Sequence, residues 1–137
     1  MNNKDTKRIL VVDDEKMLLD ITAQILEFKF PDYTIDTASS VEDAVALIGR
    51  FKYDLIMTDY GIRESTDDGG QHVCEAARSK DQKVPIILCT GSMTDIDAVD
   101  TVLRCCAEKY ISKPFAMNDL IGTISELLRT HQSLATV

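Results

Sequence analysis

The sequence predicts a doubly wound α/β fold in which five parallel strands alternate with five helices. Three observations predict it. Short apolar runs, such as those inside "RILVVDDE" (8–15), "DLIMTD" (54–59) and "VPIILCTG" (84–91), read as strands covered on both faces. Between them, apolar residues recur every three or four positions, the helical period. Finally, the apolar runs stop abruptly at polar or charged residues, as a strand does where it leaves a sheet.

Taken in order, the first strand is the run around Val11. From Met17 the period changes, and Leu18, Ile21, Ile25 and Phe28 form the expected buried stripe of a first helix, which "FPDY" ends. "YTIDTA" (33–38) alternates and suits a half-exposed or edge strand. "SVED" (40–43) resembles a capping box, after which Val41, Val45 and Ile48 supply a second helix face. The strand at 54–59 leads to a loop rich in glycine and aspartate over 60–70, then a weak helix from Val73 to Arg78. After the strand at 84–91, Thr94 can cap a fourth helix carrying Ile96, Val99 and Leu103. "KYIS" is a short last strand, and Met117, Leu120, Ile121, Ile124 and Leu128 mark the closing helix. The connections suit right-handed crossovers, which gives a sheet of flavodoxin type with strand order 2-1-3-4-5. Residues 1–6 read as an extension, 7–129 as the domain, and 130–137 as a tail or linker stub where the helical pattern is lost.

Composition narrows the function classes. The 137 residues suit one domain, with 45% hydrophobic and 28% charged residues. A net charge of −8 would repel a phosphate backbone, so direct nucleic-acid binding is not expected. No apolar run approaches a membrane span, and "MNNKDTKR" is not followed by the hydrophobic stretch of a signal peptide. A cytoplasmic protein is the expectation, with Cys74, Cys89, Cys105 and Cys106 as reduced thiols rather than disulfides or metal ligands.

The strand ends carry the chemistry. The first strand finishes in Asp13 and Asp14, the third in Asp59, the fourth in Thr90 and the fifth in Lys113. Singly, each has an ordinary structural explanation: acids favour a helix N-terminus, Thr90 can enter a helix, and a lysine can simply be solvated. In a parallel sheet, however, these ends share one edge, where ligands of such folds bind. Converging carboxylates repel unless a cation lies among them, and a hard divalent ion such as Mg²⁺ suits oxygen ligands. A lysine and a hydroxyl nearby meet the needs of phosphoryl transfer, and a carboxylate can itself be the nucleophile.

"VVDDE" (11–15), "DLIMTD" (54–59), "TG" (90–91) and "YISKPF" (110–115), in that order and spacing, resemble the receiver domain of two-component response regulators (CheY-like). The resemblance spans about residues 7–129. It implies that Asp59 is the phosphoacceptor, with Mg²⁺ held directly by Asp14, Asp59 and the backbone carbonyl of Gly61 and by Asp13 through water. It further implies that Lys113 pairs with the phosphoryl group across a frequently cis bond to Pro114, that Thr90 hydrogen-bonds a phosphoryl oxygen, and that Tyr110 is the aromatic switch.

The implied donor is a sensor histidine kinase or histidine phosphotransfer protein. The implied output surface comprises the fourth helix, fifth strand and fifth helix. The loop departs from the family pattern, which has Met-Pro three and four residues after the acceptor and a glycine soon after. Here Ile62 and Arg63 stand there, the glycines wait until Gly69 and Gly70, and Glu64, Asp67 and Asp68 add acids. In related receivers, side chains two positions after the acceptor and two after the threonine place the hydrolytic water. Gly61 and Ser92 offer little for that, so an intermediate-to-slow loss of phosphate is expected.

Two other classes share such a sheet. An aspartyl-phosphate phosphatase commonly has a second Asp two residues after its nucleophile, where this chain has Gly61. A flavin-binding module needs a Ser/Thr/Gly cradle after the first strand, where "DDEKM" offers anions. A receiver-like adaptor that is never phosphorylated is the third alternative, although every core residue is present.

Overall fold

The computed structural model describes residues 7–61, 69–90 and 107–135. Strands β1 (Lys7–Val12), β2 (Tyr33–Ala38), β3 (Leu55–Asp59), β4 (Ile86–Thr90) and β5 (Lys109–Ser112) form one sheet of order β2-β1-β3-β4-β5. All pairings are parallel, as the sequence predicts. The described helices are α1 (Lys16–Lys29), α2 (Val41–Arg50), α3 (Gly69–Lys80) and α4 (Met117–Ala135). The expected helix carrying Ile96, Val99 and Leu103 lies outside the described residues. No described helix is long and apolar enough to cross a membrane.

Strand alternation divides the core between the faces. Leu10, Val12, Ile56, Ile86 and Leu88 pack with buried residues of α2 and α3, including Ala44, Ile48, Val73 and Ala77. Ile9, Val11, Leu55, Met57, Ile87 and Cys89 face Leu19 and Leu26 of α1 and Leu120, Ile124 and Leu128 of α4. A central strand covered on both sides has no polar face to spare, which is why its sequence does not alternate. The outermost β2 is only partly covered: Ala38 alone is buried, and Thr34 and Thr37 are exposed.

Four expectations need correction. The buried row of α1 is Leu19, Thr22, Ala23 and Leu26, whereas Ile21 is exposed and Phe28 is 80% exposed. Both rows have helical spacing; the buried one has small side chains at its centre, so the helix backbone can approach the sheet closely. Similarly, Ala44 joins Ile48 in the core while Val45 faces outward. Helix α3 starts at Gly69 and ends at Lys80, so two residues assigned to the loop form its first turn. Helix α4 continues to Ala135 instead of ending near 129. Residues 130–135 contain neither Gly nor Pro, and extending an existing helix is much easier than starting one. The Ser40 cap is as expected: its side chain accepts the Asp43 N–H at 3.1 Å.

The α1 correction has a direct check by urea unfolding. Leu26→Ala should cost about 2–5 kcal/mol because it empties a fully buried position. Phe28→Ala should remain within about 0.5 kcal/mol of the parent. Comparable losses would instead favour the row of Leu18, Ile21, Ile25 and Phe28 as the buried one.

Candidate functional site

The site is a consequence of register. Val12 of β1 lies beside Thr58 of β3, so the next residues, Asp13 and Asp59, leave the sheet side by side. Both continue the alternating row begun by Ile9 and Val11 and by Leu55 and Met57. On its other side, Asp59 is paired with Cys89. Asp13 is anchored by its own N–H, which donates to the Ala38 carbonyl at 3.1 Å. One carboxylate oxygen of Asp13 then accepts the Glu15 N–H at 2.9 Å, which holds the turn into α1.

Ligand oxygens of Asp13, Asp14 and Asp59 lie within 4.8 Å of one another. Asp13 and Asp59 are almost completely buried, while Asp14 is half-buried. Lys113, immediately after β5, points its ammonium into this group. It donates to Asp13 Oδ2 at 2.9 Å and lies 3.5 Å from Asp59 Oδ1 and 4.0 Å from Glu15 Oε1. The Lys113–Pro114 bond is cis.

Electrostatics records the crowding. Asp59 is pushed from an ordinary 3.8 up to about 6, chiefly by burial; Lys113 opposes this, while Asp13 and Asp14 push further upward. Burial also works against the charge on Lys113, but its hydrogen bond to Asp13 and the nearby acids outweigh that and raise its pKa. Cys89 is pushed up to about 12 by burial and the Asp59 charge, and therefore remains a thiol. Grouped in this way, the three carboxylates could hold a metal ion.

The structure thus brings Asp13, Asp14, Asp59 and Lys113 together. Gly61 is exposed just beyond the acidic strand end, and Thr90 closes β4 in register with Ser112, its side chain lying outside the described atoms. Tyr110 stands on edge strand β5 beside Leu88 and is 40% exposed, away from the carboxylates. Ile62, Arg63, Glu64, Asp67, Asp68 and Ser92 lie outside the described residues. Sequence reasoning missed Glu15 as a neighbour of Lys113 and Cys89 as a neighbour of Asp59. The adjacent "DDE" and "CTG" were the available signals.

The family described as "response regulator receiver domain" matches residues 9–125. The chain belongs to that family. This receiver domain is 30% identical to a CheY-like response regulator receiver domain protein from Methanospirillum hungatei JF-1, with a TM-score of 0.82. That similarity covers 94% of this chain and 98% of the other. It is 28% identical to the receiver domain of NtrX from Brucella abortus over 89% of this chain and 98% of that one, with a TM-score of 0.78. A longer NtrX chain from the same organism, in complex with ATP, is 26% identical with a TM-score of 0.82. There the match covers 94% of this receiver domain but 28% of the longer chain.

The raised Asp59 pKa predicts a pH signature in the metal-free receiver domain. Relative to the unfolded chain, the fold favours neutral Asp59, so its contribution to stability is fully present below about pH 3.8. That contribution is lost as pH rises through about 6. Asp59→Asn should therefore be more stable than the parent above about pH 6, by at most about 3 kcal/mol. The margin should shrink as pH falls from about 6 towards 3.8 and be lost below that. Unfolding measured across this range checks the sign, and a margin independent of pH would contradict it.

Proposed function

We propose that this receiver domain is a phosphorylation-activated switch of a two-component phosphorelay, with Asp59 as the phosphoacceptor. The observation that carries the reading is the convergence of Asp13, Asp14, Asp59 and Lys113 at the carboxyl edge of the sheet. The donor is a phosphohistidine on a sensor histidine kinase or histidine phosphotransfer protein. A carboxylate oxygen of Asp59 attacks phosphorus, the P–N bond breaks, and the imidazole leaves with the bonding electrons, giving an aspartyl phosphate.

Asp14, Asp59 and the Gly61 carbonyl would hold Mg²⁺ directly, and Asp13 would do so through water. Bound there, the ion supplies positive charge against the carboxylates and the phosphoryl oxygens. Lys113 is already directed between Asp13 and Asp59, so it can follow the charge onto an attached phosphoryl group without a new desolvation step. Thr90 would bind a phosphoryl oxygen and draw Tyr110 inward from its exposed position on β5. That movement would alter the output face formed by the segment 94–103, β5 and the closing helix. Similarity both to a nearly whole chain and to 28% of a longer one supports output through either a separate protein or a joined domain.

The test is intact-mass measurement after incubation with phosphoramidate and Mg²⁺. One added phosphoryl group is expected, and Asp59→Asn should abolish it; unchanged labelling of the variant would exclude Asp59. The lifetime of the product can be probed at Gly61, where a Cβ would meet nothing within 4 Å among the described residues and φ is not positive. Gly61→Asn therefore adds a water-orienting amide without a backbone penalty. It should shorten the aspartyl-phosphate lifetime several-fold, since positioning an attacking water lowers the barrier. Equal or slower decay would contradict water positioning from this residue.

A further inference from the structure

The second glycine of "GG" (69–70) is in a different situation from Gly61. A Cβ on Gly70 would lie 2.5 Å from the Asp59 carbonyl oxygen, 2.6 Å from Tyr60 Cα and 2.8 Å from the Tyr60 carbonyl oxygen. Every one of these atoms is main chain of the acceptor or the residue after it. In addition, the Gly70 N–H donates to the Tyr60 carbonyl at 2.8 Å. Because the peptide unit is planar, fixing the Tyr60 carbonyl also fixes the plane containing the Gly61 N–H. Gly70 is not in a positive-φ conformation, so closeness rather than backbone freedom requires a glycine here.

Helix α3 has little freedom to retreat from this contact. Val73, Cys74 and Ala77 are fully buried in the core. At the far end, Arg78 Nη1 donates to the Val84 carbonyl at 2.5 Å, and Nη2 reaches both carboxylate oxygens of Glu108 at 2.9 and 3.0 Å. Lys80 donates to the Ile48 and Phe51 carbonyls at 2.6 and 2.8 Å. By contrast, beyond the end of β3 the Tyr60 N–H is tied to the Cys89 carbonyl at 2.8 Å, and the chain then leaves the sheet. A side chain on Gly70 would consequently displace the Asp59–Gly61 main chain rather than the helix.

We infer that Gly70 is a positioning residue for phosphoryl transfer, holding the main chain of Asp59 and Tyr60 in register with Asp13 and Lys113 by direct contact with the first turn of α3. This rests on the phosphoacceptor reading above. The Gly70–Tyr60 hydrogen bond joins the residue after β3 directly to the first turn of α3.

The test compares the full chain with Gly70→Ala and Val73→Ala, all assayed well below their melting temperatures. Val73→Ala empties a buried position on the same helix and controls for lost stability. Gly70→Ala should slow phosphorylation by phosphoramidate at least tenfold and raise the Mg²⁺ midpoint at least threefold. Val73→Ala should stay within twofold of the parent in both. Equal effects in the two variants, or a Gly70→Ala variant within twofold of the parent, would overturn the inference. The parent also supplies a measurement independent of variant folding: in its NMR spectrum, the Gly70 amide should shift on Mg²⁺ titration with the midpoint of the Asp59 amide. An unmoved Gly70 amide overturns the inference. A parent that takes up no phosphoryl group would instead overturn the phosphoacceptor reading itself.

Discussion

Everything at the carboxyl edge depends on keeping three carboxylates, with ligand oxygens within 4.8 Å of one another, in a largely dry place. At that separation like charges repel strongly once water is excluded. Lys113 offsets part of this, but Asp59 remains displaced upward to about 6. The tension is tolerable because the rest of the domain is an apolar sandwich whose central strands are covered on both faces. That core fixes the strand ends and leaves the acids no route by which to separate.

The same tension has chemical value. A carboxylate that is poorly hydrated, next to other acids and within reach of an ammonium is arranged for a cation or a phosphoryl group. Adding positive charge among the carboxylates relieves the repulsion. Cys89 shows the opposite use of the same surroundings, since burial and the Asp59 charge keep it protonated and inert. Lys113 favours the charged form of both neighbours, but at Cys89 it is outweighed by burial and by the Asp59 charge.

The helices contribute through the distance at which they can approach. On one face, α1 approaches the sheet through Thr22 and Ala23, between the larger Leu19 and Leu26. On the other, α3 contacts the end of β3 through Gly70, with no side chain between the two backbones. Small residues at close approaches carry little hydrophobic signal of their own. For that reason apolar periodicity alone favours the Leu18 and Phe28 row and places the start of α3 too late.

The sequence alone determined the strands, their parallel arrangement and most of the acidic site. Continuous apolar runs can only be satisfied between two layers, and parallel strands bring their carboxyl ends to one edge, so Asp13, Asp14, Asp59 and Lys113 could be grouped before any coordinates. Only the tertiary structure decided which of two helical rows α1 buries, that α4 runs on to Ala135, and that Glu15 and Cys89 border the site. It alone distinguished Gly61, beside which a Cβ would meet none of the described residues, from Gly70, which has the Asp59 and Tyr60 main chain against it. A glycine's letter records only a missing side chain; what would occupy that space is set by residues that folding brings near.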